Sequence, residues 1–172
     1  MITMKYRYIA LITFLMLALA VMPATAFTAK NLVIAIQDNG DATINFNYQL
    51  TWMEQLMYRM IPGKEQIVQS ALGSKFPSIT VENIQVSDST TSLTARSFAG
   101  ISNSGGSPVT TTYTTPAVSF MMAQDLLNNF PGAWAITPDF SPDLTVVQFP
   151  DGQQYTYEGV SGIPAISYTV TK

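Results

Sequence analysis

The chain has 172 residues, of which eight are basic and eleven acidic, and it contains neither histidine nor cysteine. Without histidine, the Ser-His-Asp and Cys-His catalytic systems and the usual zinc sites are excluded; without cysteine, disulfides are excluded. The net charge is negative and no basic run is present, so nucleic acid is not an expected partner. We therefore predict a protein that is not an enzyme and has no catalytic residue, metal site or cofactor.

The first 26 residues have the features of a secretory signal peptide. A short basic start is followed by an apolar run over 8–22 and by small side chains at Ala24 and Ala26. The apolar run is shorter than the ~20 residues that a membrane-spanning helix needs. We predict cleavage after Ala26, which makes the protein secreted or attached to the cell surface. An uncleaved amino-terminal membrane anchor is the alternative, and the leader would then provide the membrane contact.

The region 27–172 is predicted to form a single domain, since it is long enough for one hydrophobic core. After cleavage it would retain six basic and eleven acidic residues, a net charge of about −5. Only 11% of all residues are charged, against about 25% in typical proteins. The surface must therefore be covered by Ser, Thr, Asn and Gln, a composition common on extracellular and envelope proteins.

A hairpin is predicted at the start of this domain. Apolar residues at 32, 34 and 36 alternate with smaller ones, and the sequence Asp-Asn-Gly-Asp follows at 38–41. Asn-Gly favours a tight turn because both residues tolerate positive φ, and we prefer this interpretation of the oxygen-rich group to a calcium site. The next segment, 43–50, has a clear period of two, which predicts a strand with one apolar and one wet face.

Three helices are predicted. Thr51 and Glu54 have the spacing of a capping box, and apolar residues follow at helical spacing. A second helix over 64–76 has one apolar face and is followed by a proline. A third helix is predicted over 120–130, also followed by a proline.

The remaining segments predict strands. Residues 79–86 and 91–98 form a pair with a bulge near Asn83, where the alternation shifts by one residue. An exposed loop is predicted at 103–108. Further strands are predicted on either side of a Pro-Asp-Gly turn at 150–152 and over 163–170. Together these elements predict an α+β fold: an antiparallel sheet of about seven or eight strands with two or three helices packed on one face.

Four aromatic residues are candidate binding residues, because the C–H face of a sugar ring stacks well on an aromatic face. They are Tyr113, Trp134, Tyr155 and Tyr157. The alternative is that they fill the core or cover the sheet. A pair of carboxylates could in principle hydrolyse glycosides, with Asp139, Asp143, Asp151 and Glu158 as the candidates, but each of these acids also fits an ordinary role in or near a turn.

Two segments carry a resemblance. DNGDATINFNYQLTWMEQ at 38–55 and FPDGQQYTYEG at 149–159 are similar to segments of small uncharacterised exported proteins of methanogenic archaea. The resemblance implies a cell-envelope or extracellular setting. It transfers no catalytic or binding residue to this chain.

Three functional hypotheses follow from the sequence. The preferred one is a non-enzymatic exported domain that acts by contact with an envelope component or by self-association through an unpaired strand edge. The segments 109–115 and 163–170 are the predicted edges. The second hypothesis is a binding module for a carbohydrate or other small ligand that uses exposed tyrosines. The third is an acid hydrolase.

Overall fold

The computed structural model describes residues 27–51, 54–55, 59, 62–75, 77–120 and 140–171. This part of the chain contains eleven strands, arranged in three sheets, and one helix of 12 residues. The elements are β1 Thr28–Ile36, β2 Ala42–Gln49, α1 Lys64–Lys75, β3 Thr80–Val86, β4 Thr90–Arg96, β5 Gly100–Ser104, β6 Thr110–Thr114, β7 Val118–Ser119, β8 Leu144–Gln148, β9 Gln154–Glu158, β10 Gly162–Ile163 and β11 Ser167–Thr171.

The fold is mainly β, which corrects the prediction of an α+β domain with two or three helices. Antiparallel pairing dominates, as predicted, but the strands form a six-stranded sheet, a three-stranded sheet and a two-stranded sheet. The second predicted helix is confirmed as α1. The segment predicted as a third helix lies almost entirely outside the described residues. No helix of the described residues is long and apolar enough to cross a membrane.

The largest sheet has the order β3-β4-β2-β1-β8-β9. Its strands are antiparallel except for β1 and β8, which are parallel neighbours although they are far apart in sequence. Ile34 in β1 lies opposite both Ile44 in β2 and Val147 in β8. Because successive side chains in a strand point to opposite faces, this register aligns the apolar residues of three strands on one face, which forms the core.

The predicted turn at 38–41 is confirmed, and hydrogen bonds connect it to the segment that precedes β5. Gly40 has a φ of 80°, which glycine adopts without strain. The side chain of Asp41 accepts hydrogen bonds from Asn39 Nδ2 at 2.9 Å and from the backbone N–H of Ser97 at 2.9 Å. The backbone N–H of Ala99 in turn donates to the carbonyl oxygen of Gly40 at 2.8 Å. The hairpin therefore positions the segment that leads into β5.

The three-stranded sheet has the order β11-β6-β5. Tyr113 on β6 points inward and is 1% exposed, and its ring lies 6.3 Å from that of Phe149 at the end of β8. Neighbouring residues point outward: Thr112 and Thr169 are hydrogen-bonded to each other through their hydroxyl groups at 2.8 Å. The small sheet thus packs one face on the core and presents a hydroxyl-rich face to water.

The predicted capping box is confirmed. The backbone N–H of Thr51 donates to Glu54 Oε2 at 2.8 Å, and the backbone N–H of Glu54 donates to Thr51 Oγ1 at 3.3 Å. These reciprocal bonds satisfy two backbone donors that a helix start leaves free. Helix α1 follows, and Val68 and Leu72 on it pack against the core.

Candidate functional site

The edge strand β5 is the most accessible strand of the described fold. All five of its residues are exposed, and β6 is its one neighbour among the described strands. Ile101 on β5 and Val109 just before β6 are 40% and 50% exposed, and they are the two large hydrophobic residues of the described chain that lie on the surface to this extent. An edge strand carries backbone N–H and C=O groups that have no partner in the sheet and can pair with another strand.

This position of β5 corrects the predicted edges. The segment 109–115 forms β6, which is the central strand of its sheet and is paired on both sides. The segment 163–170 does contain an edge strand, β11. The sequence did not indicate that β5 is an edge strand, because the small polar residues around Ile101 have no alternation that assigns the faces of a strand.

The edge strand β3 of the six-stranded sheet, by contrast, is protected. Its pairing with β4 shifts between Glu82 and Gln85, and Asn83 at this point has a φ of 52°. The predicted bulge is therefore confirmed. The Glu82 carboxylate also accepts a hydrogen bond from Arg96 Nε at 2.7 Å. Bulges and charged side chains are known devices against edge-to-edge pairing.

A second candidate surface lies where β9 and β11 approach each other. The rings of Tyr155 and Tyr168 meet edge to face with centroids 6.1 Å apart, and the buried ring of Phe149 contacts both. The hydroxyl of Tyr168 donates a hydrogen bond to Asp151 Oδ2 at 2.5 Å. We call Tyr155, Tyr168 and Asp151 the aromatic corner.

The hydrogen bond between Tyr168 and Asp151 in the aromatic corner shifts the pKa of both groups. It lowers the pKa of Asp151, because it stabilises the charged carboxylate, and the backbone N–H of Gln153 adds a second bond to that carboxylate. The same bond raises the pKa of Tyr168, because ionisation of the hydroxyl would remove the donated bond and place a second negative charge beside the carboxylate. The corner therefore presents a carboxylate beside two half-buried aromatic rings.

The predicted aromatic residues do not form one exposed platform in the described structure. Tyr113 is buried and its hydroxyl donates to the carbonyl oxygen of Asp38 at 3.4 Å, so it cannot belong to an exposed platform. Tyr155 and Tyr157 are half-buried on β9 and point to the same face. Trp134 lies outside the described residues. No local pattern in the sequence links Tyr155 to Tyr168 or Tyr168 to Asp151, since these contacts join a hairpin strand, the last strand and a turn.

Of the predicted acidic residues that are described, Asp143 and Asp151 have side-chain partners, and the partner of Asp151 is the Tyr168 hydroxyl. The carboxylate of Asp143 pairs with Lys30 Nζ at 3.0 Å, and both side chains are largely exposed. Glu158 is an exposed residue at the end of β9, and Asp139 lies outside the described residues. Among the described residues no three His, Cys, Asp or Glu side chains are grouped so that they could hold a metal ion.

Comparison with known proteins assigns this chain to no family: no family model, no curated protein and no solved structure matches it.

Proposed function

We propose that this protein is a non-enzymatic exported domain of the cell envelope or extracellular space, and that it acts by self-association through the edge strand β5. The observation that carries the proposal is the exposure of all five β5 residues, which have no described neighbour on their outer side. The leader predicted over 1–26 and the uncharged polar surface support the exported setting.

A second copy of the chain is the occupant that β5 fits best. None of its residues carries a charge, although the region 27–172 as a whole has a net charge of about −5. Two copies of β5 can therefore pair antiparallel about a twofold axis without bringing like charges together, whereas two copies of β3 would bring Glu82 near its symmetry mate. Such pairing uses the β5 edge of both copies, so that no third copy can add there, and it joins the two three-stranded sheets into one sheet of six strands.

The exposed apolar residues supply a side-chain contribution to the same contact. Ile101 lies on the inner face of β5, where its side chain approaches Gly40. Val109 is the residue immediately before β6. Pairing of two β5 strands would remove part of both side chains from water, which is favourable by about 25 cal/mol per Å² of apolar surface. Backbone hydrogen bonds provide the geometry of the contact, and these two residues add to its affinity.

The test is the mass in solution of the exported protein, measured by light scattering behind a sizing column over a range of concentrations. We expect a concentration-dependent dimer in the wild type and a monomer in the double variant Ile101→Lys/Val109→Lys, because a charge on an edge strand opposes pairing. The matched control is Thr156→Lys, an exposed residue of the edge strand β9, which should leave the dimer intact. A wild type that stays monomeric at every concentration would refute the proposal.

The aromatic corner favours a second candidate function, the binding of a neutral or amino sugar. Tyr155 and Tyr168 offer ring surface for the C–H face of a pyranose, and the Asp151 carboxylate can accept hydrogen bonds from sugar hydroxyl groups. Calorimetry with neutral and acidic polysaccharides tests it. Binding of neutral polymers should weaken in Asp151→Asn and persist in Asp88→Asn, which changes an exposed acid elsewhere. If no polymer gives a heat of binding, this candidate is excluded.

A further inference from the structure

The backbone nitrogen of Phe27 occupies a site that suits a charged amino terminus. It lies 2.9 Å from Glu54 Oε1 in a partly buried position. The other carboxylate oxygen, Oε2, accepts bonds from both the backbone N–H and the hydroxyl of Thr51, at 2.8 and 2.9 Å. The Glu54 side chain is therefore held in place from the helix side, with one oxygen directed at the first residue of the predicted mature chain.

The side chain of Phe27 is anchored as well. Its ring contacts those of Phe46, Tyr48 and Phe140, with centroids 6.0, 5.2 and 4.8 Å apart. Aromatic pairs at these separations contribute beyond the area they bury. The ring cluster keeps the nitrogen of Phe27 within reach of Glu54, so that the position does not depend on the hydrogen bond alone.

We propose that Glu54 is the binding site for the α-ammonium group created when the leader is removed, so that export and final folding are coupled. The proposal rests on the predicted cleavage after Ala26. Hydrolysis of the Ala26–Phe27 peptide bond consumes one water molecule, leaves a carboxylate on Ala26 and leaves an ammonium group on Phe27. The neutral amide donor at Glu54 thereby becomes a cation with three donors.

The change in charge strengthens the contact. Hydrogen bonds between two ionised groups are about twice as strong as neutral ones, and partial burial reduces the screening of the pair by salt. Because Glu54 also caps the helical turn that begins at Thr51, the new ion pair joins the start of β1 to that turn. Glu54 is thus a positioning residue that senses whether the leader has been removed.

The first measurement is the amino-terminal residue of protein exported from cells that make the full chain, determined by intact mass. We expect Phe27. The second is the rate at which an acylating reagent modifies this α-amino group near neutral pH, where it reacts before lysine side chains because of its lower pKa. The wild type should react several-fold more slowly than Glu54→Gln, and Glu65→Gln, a control in the first turn of α1, should match the wild type.

A thermodynamic cycle separates the ion pair from the helix cap, since glutamine still serves in a capping box. Glu54→Gln should lower the Tm by roughly 3–6 °C in protein that begins at Phe27, and by less than half of that in a matched protein that begins one residue earlier at Ala26. An equal loss in both proteins would show that Glu54 acts only as a cap. A different amino terminus, or equal acylation rates, would also overturn the proposal, and neither result bears on pairing through β5.

Discussion

The edge strands β3 and β5 end two different sheets of the same molecule, and they differ in how accessible they are to pairing with another strand. β3 is broken by a bulge at Asn83 and carries Glu82, whose carboxylate is paired with Arg96. β5 is regular over five residues, uncharged and exposed along its whole length. β3 contains more apolar residues than β5, yet it is the protected edge, so apolar content alone does not decide whether an edge is open. The difference lies in the bulge and the charge, which are the features that prevent pairing with another chain.

The largest expected effect tests whether the two sheets depend on a shared core. Tyr113→Ala should lower the free energy of unfolding by about 3–5 kcal/mol, because it removes a fully buried ring between the small sheet and Phe149. Tyr113→Phe removes only a hydroxyl whose one bond is 3.4 Å long, and it should cost less than about 1 kcal/mol. Urea denaturation measures both. Equal losses would mean that the hydroxyl, and not the ring, stabilises the junction.

The next effect concerns the attachment of β5 to the large sheet. A Cβ at Gly40 would lie 2.5 Å from the carbonyl oxygen of Ala99, and the φ of 80° is unfavourable for alanine. Gly40→Ala should therefore cost about 2–3 kcal/mol of stability. Gly152→Ala shares a φ of 89° but has no neighbour within 4 Å of its Cβ, and about 1 kcal/mol is expected. Thermal unfolding compares the two, and a smaller loss at Gly40 would contradict the close approach.

Removal of the bulge should convert the closed edge into an open one. Deleting Asn83 places Ile84 opposite Leu93 and makes the β3–β4 pairing continuous. In the Ile101→Lys/Val109→Lys background, which blocks β5, we expect this deletion to restore a dimer at high concentration, detected by light scattering. Adding Arg96→Gln should weaken that dimer again, because Glu82 loses its neutralising partner and pairing would bring two unpaired carboxylates together. A strictly monomeric deletion variant would show that the bulge is not what protects β3.

The smallest expected effect concerns the hydrogen bond between Tyr168 on the edge strand β11 and Asp151 in the turn before β9. Tyr168→Phe removes the hydrogen bond that lowers the pKa of Asp151, so that pKa should rise toward its ordinary value. A lowered carboxyl pKa stabilises the fold above the unfolded pKa, and this contribution is lost as the pH falls through the folded pKa. The variant should therefore lose less stability on acidification than the wild type. NMR titration of the Asp151 carboxyl carbon measures the shift, and an unchanged titration would assign it to the Gln153 amide.

Local patterns in the sequence predicted much of the structure. The turn at 38–41, the strand β2, the bulge at Asn83, the capping box at Thr51 and helix α1 were all predicted from residues close together in the chain. Each depends on a local preference: positive φ at glycine, alternation of side chains, or a short side chain that bonds a nearby backbone amide. Such preferences act over a few residues and need no knowledge of the partner strands.

The tertiary structure decided the features on which function depends. The sequence by itself determined local features such as the turn at 38–41 and the alternation of β2, but not that β6 would be central and β5 an edge, because pairing joins segments far apart in the chain. The same long-range pairing buries Tyr113, leaves Tyr155 half-exposed beside Tyr168, and brings the nitrogen of Phe27 to Glu54. Whether a side chain is core or surface is set by what packs over it, and that is a property of the assembled sheets.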